Sequence, residues 1–148
     1  MCVYVLVFGG LLFFIEGLGT VIAFVLGSFA SIISGYIGMK IAVYTNVRTA
    51  HESWKDLTSG YQTAIRGGAV MGLSLVSLGV LVLFVLLYVF RTGVLEFAGV
   101  EEMYTAVAGY GLGGSSIALF GRVGGGIYTK AADVGADLSG KNEYGTVL

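Results

Sequence analysis

The sequence has 148 residues, of which 56% are hydrophobic and only 11% are charged. Soluble domains carry about 25% charged residues, so this composition excludes an ordinary soluble domain and indicates a membrane protein. The formal net charge of −1 excludes a bulk electrostatic attraction to nucleic acid, and the single cysteine, Cys2, cannot form a disulfide within the chain.

Four apolar segments predict an all-α fold, a polytopic bundle of transmembrane helices. A span needs about 20 apolar residues to cross a hydrocarbon core of ~30 Å. The first segment is short for this purpose and lacks the basic start of a signal peptide, so we interpret it as a truncated span. The chain contains no proline, which favours uninterrupted helices. The predicted spans are residues 1–15, 21–44, 67–90 and 103–129.

The connections between the spans differ in charge, which predicts their orientation. Residues 45–66 are rich in lysine and arginine, with Lys40 close by, and we predict a cytoplasmic loop there. The connection at 91–102 holds a single arginine among glutamates. Because the spans alternate in direction, the segment after the fourth span also emerges in the cytoplasm. Tyr44 and Trp54 are expected at the membrane interface, where these ring types are common.

Small residues recur at intervals of four in two of the spans. Such faces allow helix backbones to approach closely in lipid. We therefore predict that the fourth span is an inner helix, enclosed by neighbours that include helices outside this chain. The small residues are Gly27, Ser31 and Gly35 in the second span, and Gly109, Gly113, Gly121 and Gly125 in the fourth.

Two glycine-rich patterns imitate nucleotide-binding motifs without meeting their requirements. Gly109, Gly111 and Gly114 match G-x-G-x-x-G, but a membrane-length segment contains them and no strand is predicted before them. Residues 124–130 have the composition of a P-loop, yet Thr129 stands where the motif requires the glycine that precedes its lysine. Helix packing is the favoured explanation for these glycines.

Arg122 is a cation inside the predicted fourth span. A buried cation in a span is costly, and such residues usually face a cavity or a counter-charge. On a helix, Arg122 lies within about 60° of Asp133 and Asp137, and about 17 Å from Asp133 along the axis. Arg122 is therefore a candidate for an ion path. The alternatives are a snorkelling side chain and a structural pair with an acid on another helix.

Lys130, Asp133 and Asp137 follow i, i+3, i+7 spacing and share a helix face just past the fourth span. Mg²⁺ prefers one or two carboxylates together with phosphate oxygens and water, and a lysine can supply a point charge to phosphate. The residues between them are small, so other groups can approach closely. The pattern predicts a Mg-phosphate site, and its alternative is a surface ion pair of little energetic value.

One long string carries a family resemblance. Residues 109–138, which include GRVGGGIYTKAADVGADL, closely resemble the membrane-bound ion-pumping inorganic pyrophosphatases. Residues 33–42 and 66–72 resemble the same family. The likeness covers most of the chain from about Gly27 onward, and the last motif is the most specific.

The resemblance implies hydrolysis of pyrophosphate with Mg²⁺, coupled to the pumping of H⁺ or Na⁺ across a membrane, with K⁺ as an activator of some members. It implies a homodimer of about sixteen spans per subunit, in a vacuolar or other acidic-compartment membrane or a bacterial plasma membrane. This chain would then be one part of the pump and inactive alone, because the acids that position the attacking water would lie beyond Leu148. The alternative function is a non-hydrolytic membrane transporter or channel subunit.

The same likeness implies roles for single residues. Lys130 would contact pyrophosphate, Asp133 and Asp137 would coordinate Mg-pyrophosphate, and Arg122 would belong to an ion gate beneath the hydrolytic site. The segment 130–143 would be the cytoplasmic substrate motif.

Two further residues near the end of that motif match the family. Lys141 is a second candidate for substrate binding, and Glu143 is a candidate supporting acid. Ser139 and Asn142 depart from the family, which often has valine at both positions.

Overall fold

The computed structural model describes residues 2–92 and 99–143, and the regular elements in these ranges are all α-helices. The predicted all-α fold is confirmed. Part of the predicted 91–102 connection lies outside the described residues. The helices are α1 (Cys2–Ile15), α2 (Leu18–Ser53), α3 (Leu57–Arg91) and α4 (Val100–Glu143).

The connection between α1 and α2 consists of Glu16 and Gly17 alone. Gly17 has a φ of 90°, a backbone conformation that a residue with a side chain rarely adopts, so glycine lets the chain change direction here. As a result α1 folds back beside the start of α2. The ring of Phe8 lies 5.7 Å from the ring of Phe24, measured between centroids, and Phe24 is fully buried.

The connection between α2 and α3 differs from the predicted loop at 45–66. Helix α2 continues to Ser53 and α3 begins at Leu57, so almost all of this stretch is helical. The charged residues suggested a loop, but lysine, arginine and glutamate are good helix formers, and no proline interrupts them. The carboxylate of Glu52 accepts hydrogen bonds from Lys55 Nζ at 2.9 Å and Ser59 Oγ at 3.0 Å, which ties the end of α2 to the start of α3.

Helix α2 is the central element, and α4 packs on it through glycines. A Cβ on Gly113 would collide with the carbonyl oxygen of Phe24, and one on Gly109 would lie 2.6 Å from the carbonyl oxygen of Thr20. A Cβ on Gly27 would likewise collide with the backbone of α4. The absence of side chains at these positions therefore permits the contact, as predicted for small-xxx-small faces.

The register of this contact fixes the relative direction of the two helices. Gly109 meets Thr20, and Gly113, four residues later, meets Phe24, which is also four residues later. Helices α2 and α4 are therefore parallel. It follows that the turn after α2 and the last turns of α4 lie at the same end of the bundle.

Helix α3 returns along α2 and completes a small apolar core. Leu86 and Phe90 on α3 pack with Ala23 on α2 and Ala106 on α4. The hydroxyl of Tyr110 on α4 donates a hydrogen bond of 2.9 Å to the carbonyl oxygen of Gly79 on α3. This hydrogen bond joins two helices that otherwise contact each other little.

Two of the described helices, α2 and α3, are long and apolar enough to cross a membrane by length and composition. In α3 only 6% of the most apolar window is buried inside the molecule, so most of its apolar side chains there remain partly or fully exposed. Helix α1 is apolar but has 14 residues. Helix α4 is not among the candidate spans, because glycines replace many of its aliphatic side chains.

Candidate functional site

The predicted site residues lie on one face of α4. At about 100° per residue, Arg122, Asp133, Asp137, Lys130 and Lys141 fall, in this order, within a sector of about 100°. All five are exposed. The helix runs without interruption from Val100 to Glu143, so a single element positions the whole set. The side chain of Glu143, the predicted supporting acid, lies outside the described part of the structure.

This charged face points away from the helix that supports α4. Gly113, which packs against α2, lies about 180° around α4 from Arg122 and about 160° from Asp133. Lys130 and Lys141 lie nearer to it, at about 100° and 80°, but all five side chains are exposed, so no described helix covers the charges. The predicted enclosure of the fourth span relies on helices outside this chain, and within residues 2–92 and 99–143 only the glycine face is covered.

Lys130 and Asp133 form an ion pair across one turn. Lys130 Nζ lies 3.9 Å from the nearer carboxylate oxygen of Asp133, and the two side chains are 84% and 69% exposed. An exposed pair at this separation stabilises a helix by at most about 0.5 kcal/mol. Both groups can thus exchange this contact for a phosphate or a metal at small cost.

The carboxylates of the charged face suit a metal that is held jointly with a substrate. Asp133 and Asp137 are one turn apart, and no group of three or more metal-ligating side chains occurs among the described residues. A metal that requires a full protein cage does not fit such a face. Mg²⁺ fits, because it is commonly bound by one or two carboxylates and takes its other ligands from substrate phosphates and water.

Arg122 is separated from the carboxylates along the helix. Its Cα lies about 17 Å from that of Asp133 at ~1.5 Å of rise per residue. In the part of the chain that the structure describes, Arg122 forms no ion pair, so the alternative of a structural pair finds no partner there. Between Arg122 and Lys130 lie Gly124, Gly125 and Gly126, and a Cβ on any of them would meet no atom within 4 Å.

The parallel arrangement of α2 and α4 relates the site to the predicted topology. The turn at 54–56 lies at the same end of the bundle as Lys130, Asp133 and Asp137. The charge pattern predicts that both are cytoplasmic, and the two predictions are consistent with one orientation.

Sequence reasoning missed Tyr110, whose hydroxyl reaches Gly79 and fixes α4 against α3. The available signal was a tyrosine among the glycines of a span, where a buried hydroxyl needs a hydrogen-bond partner.

A family model described as inorganic H⁺ pyrophosphatase matches residues 1–146. The chain belongs to this family. The resemblance carried by residues 109–138 is thereby confirmed, and with it the assignment to membrane-bound pyrophosphatases.

Relatives in this family come from distant organisms. The putative K⁺-stimulated pyrophosphate-energized sodium pump of Bacteroides thetaiotaomicron is 45% identical over 139 residues, which is 90% of this chain and 19% of the relative. The K⁺-insensitive pyrophosphate-energized proton pump of Caldanaerobacter subterraneus is 48% identical over 126 residues, 83% of this chain and 17% of the relative. Pyrophosphate-energized membrane proton pump 3 of Arabidopsis thaliana is 41% identical over 133 residues, 85% of this chain and 16% of the relative.

The chain thus spans less than a fifth of the length of these relatives. The pyrophosphatases it matches include sodium pumps and proton pumps, and both K⁺-stimulated and K⁺-insensitive types. Identity over this segment is similar for all of them. The segment is therefore shared by sodium pumps and proton pumps of the family. Its percentage identity to them does not indicate which ion is transported.

Proposed function

We propose that this chain supplies one wall of a Mg-pyrophosphate site in a pump that couples pyrophosphate hydrolysis to the transport of H⁺ or Na⁺. The observation that carries the proposal is the exposed face of α4 that holds Lys130, Asp137 and Asp133, which are turned about 100°, 120° and 160° from Gly113, the glycine that packs on α2. A face of this kind is free to line a site completed by other helices.

Each residue of the wall has a distinct role. Lys130 provides a positive charge for a phosphate oxygen of pyrophosphate. Asp133 and Asp137 hold Mg²⁺ that is shared with the substrate. Lys141, one turn further along the same face and exposed, is placed to contact the second phosphate group.

Pyrophosphate hydrolysis requires neutralisation of negative charge more than it requires covalent catalysis by a side chain. When water attacks a phosphorus atom, the leaving phosphate gains negative charge, and Mg²⁺ would offset that charge when bound. The chain's own part is to place Lys130 and the two carboxylates on one rigid face, so that pyrophosphate binds in a fixed orientation. The water-positioning acids are expected elsewhere in the pump.

Arg122 belongs to ion transport in this proposal. Its position about 17 Å below Asp133, inside the predicted span, suits a cation that faces an ion path. Since both residues are on α4, a movement of the helix on substrate binding would be passed to Arg122 through the glycines at 124–126. This supplies a physical link between hydrolysis and pumping.

The same proposal covers the setting of the site. The chain crosses the membrane several times, with the turn at 54–56 and the substrate motif on the cytoplasmic side. The pump works as a homodimer in a vacuolar, acidic-compartment or bacterial plasma membrane, and K⁺ serves as an activator if the chain belongs to a K⁺-stimulated member.

A chimera tests the proposal. This chain would replace the matching segment of the Caldanaerobacter subterraneus pump, which is 48% identical to it. We expect phosphate release from Mg-pyrophosphate by the chimera in vesicles, together with ion uptake. A chimera that assembles in the membrane, transports ions and releases no phosphate would overturn the proposal in favour of a non-hydrolytic transporter.

A further inference from the structure

Four residues of α2 form a row in which rings and cations alternate. Tyr36, Lys40, Tyr44 and Arg48 are spaced by four and are all exposed. Lys40 Nζ lies 5.2 Å from the ring centroid of Tyr36, and the guanidinium carbon of Arg48 lies 4.1 Å from that of Tyr44. These distances are typical of cation–π contacts, which hold the two cations over the rings. We call these residues the cation–aromatic row.

The charges of the row are not neutralised by the described chain. The ion pairs found in residues 2–92 and 99–143 are Glu52–Lys55 and Lys130–Asp133, so Lys40 and Arg48 have no acidic partner there. The row also lies off the packed side of α2. Lys40 is about 160° around the helix from Gly38, where an added Cβ would lie 3.2 Å from Cε of Met71 on α3.

The row crosses the predicted edge of the membrane. The predicted spans meet this edge at Tyr44 and Gly67, and the structure packs Gly67 against Thr45, so the two helices reach it at the same level. Lys40 and Arg48 lie about 6 Å on either side of Tyr44 along the helix. In the structure the ammonium group of Lys40 lies over Tyr36, one turn deeper, and the long flexible side chain can exchange this contact for one nearer the interface, where lipid phosphates lie.

A second, apolar row runs beside the first. Met39, Val43 and Val47 are 64%, 66% and 72% exposed and stand one residue before Lys40, Tyr44 and Arg48 respectively. An exposed strip of cations and rings beside an exposed apolar strip matches the two parts of a lipid. The cations suit its headgroup at the membrane edge, and the apolar strip suits its acyl chains. Free phosphate has no apolar part that could contact the apolar strip.

We propose that the cation–aromatic row binds the phosphate of an anionic phospholipid in the leaflet at the Trp54 end of the bundle. Lys40 and Arg48 donate hydrogen bonds to the headgroup, and the ring of Tyr44 holds Arg48 in place. Anionic lipids are enriched in the cytoplasmic leaflet, which is the predicted side of this row. The site is separate from the pyrophosphate wall on α4.

Native mass spectrometry of the full chain, with phosphatidylglycerol or phosphatidylcholine added to the detergent, tests the proposal without pyrophosphate. We expect preferential retention of phosphatidylglycerol. Each juxtamembrane cation changes affinity for anionic lipid about fivefold, so the double variant K40Q/R48Q should bind it about thirtyfold more weakly. Arg91→Gln, which removes a cation at the opposite end of α3, is the matched control and should bind like the wild type.

A further variant separates a built site from general charge attraction. Tyr44→Leu keeps both cations and removes the ring beneath Arg48, so its retention of phosphatidylglycerol should fall part of the way toward that of the double variant. Equal retention of the two lipids by the wild type would overturn the proposal. So would equal retention of phosphatidylglycerol by K40Q/R48Q and R91Q, or wild-type retention by Y44L.

Discussion

Gly113 of α4 presses its backbone directly against the carbonyl oxygen of Phe24 on α2, in a contact that leaves no room for a side chain. This contact, repeated one turn earlier by Gly109 and Thr20, sets the parallel direction of the two helices. It also decides which face of α4 remains open. The charged face is therefore a consequence of where the glycines lie.

Gly113→Ala should destabilise the helix packing. The added Cβ would meet backbone atoms that cannot move aside, and overpacking of this kind costs about 1–3 kcal/mol. Gly125→Ala is the matched control, since a Cβ there meets nothing within 4 Å and alanine favours a helix by up to about 1 kcal/mol. Thermal unfolding in detergent, followed by circular dichroism, should lower the Tm of the first variant alone. Similar Tm values for both would contradict the packing.

Asp133→Ala should remove pyrophosphate hydrolysis in the chimera. Loss of a carboxylate that holds the metal and substrate together should lower phosphate release by about a hundredfold or more. Asp56→Ala serves as the control, because Asp56 is also a carboxylate but lies at the α2–α3 turn and makes no side-chain capping hydrogen bond. Near-normal turnover of the Asp133 variant would remove this residue from the site.

Arg122→Ala should impair pumping more than hydrolysis. The side chain is about 17 Å from the carboxylates, so its loss acts on the ion path and not on bound pyrophosphate. The measurement is the ratio of ion uptake to phosphate release in vesicles, which should fall for this variant and stay constant for Arg91→Ala. An unchanged ratio would refute a role in transport.

Glu52 should make stability depend on pH at the α2–α3 turn, outside the predicted spans. The hydrogen bond from Lys55, and then that from Ser59, lowers the pKa of Glu52. Because the pKa of Glu52 is lower in the folded state than in the unfolded state, where it is about 4.3, the ionised carboxylate stabilises the fold at pH values above that of the unfolded state. This stabilisation is lost as the pH falls through the pKa of the folded state. The contribution is small because the group is solvated.

The check is thermal unfolding at pH values of about 5 and about 3, on either side of that range. The Tm of the wild type should fall more than that of Glu52→Gln. Glu16→Gln, an exposed acid at the other turn, should keep the wild-type dependence. The same slope in Glu52→Gln and the wild type would show that the hydrogen bonds do not matter for stability.

The sequence predicts the helices and their glycine contacts well because both rest on local patterns. Apolar length identified α2 and α3, and the spacing of Gly109 and Gly113 identified the packed face. The extent of the helices was harder to predict. Charge at 45–66 suggested a loop, whereas the polar residues there continue α2 and α3 beyond the predicted spans.

The residues of the candidate site could be predicted from the sequence, but the groups that surround them could not. The spacing of Lys130, Asp133 and Asp137 is a property of one helix, and the structure places them on one exposed face as expected. Whether Arg122 meets an acid depends on which helices stand opposite, and no local pattern contains that information. A hydrogen bond from the Tyr110 hydroxyl could be expected, but its partner Gly79, 31 residues away in sequence, is unpredictable for the same reason.

The three glycines at 124–126 lower the intrinsic helix stability of α4 between Arg122 and Lys130. With no side chains and no neighbouring atoms within 4 Å of their Cβ positions, these residues keep their shape through backbone hydrogen bonds alone. Together they make the helix about 3 kcal/mol less favourable than three alanines would. The structure shows α4 continuous here, and we expect any bend of α4 to occur at these three residues, which would change the angle between Arg122 and Lys130.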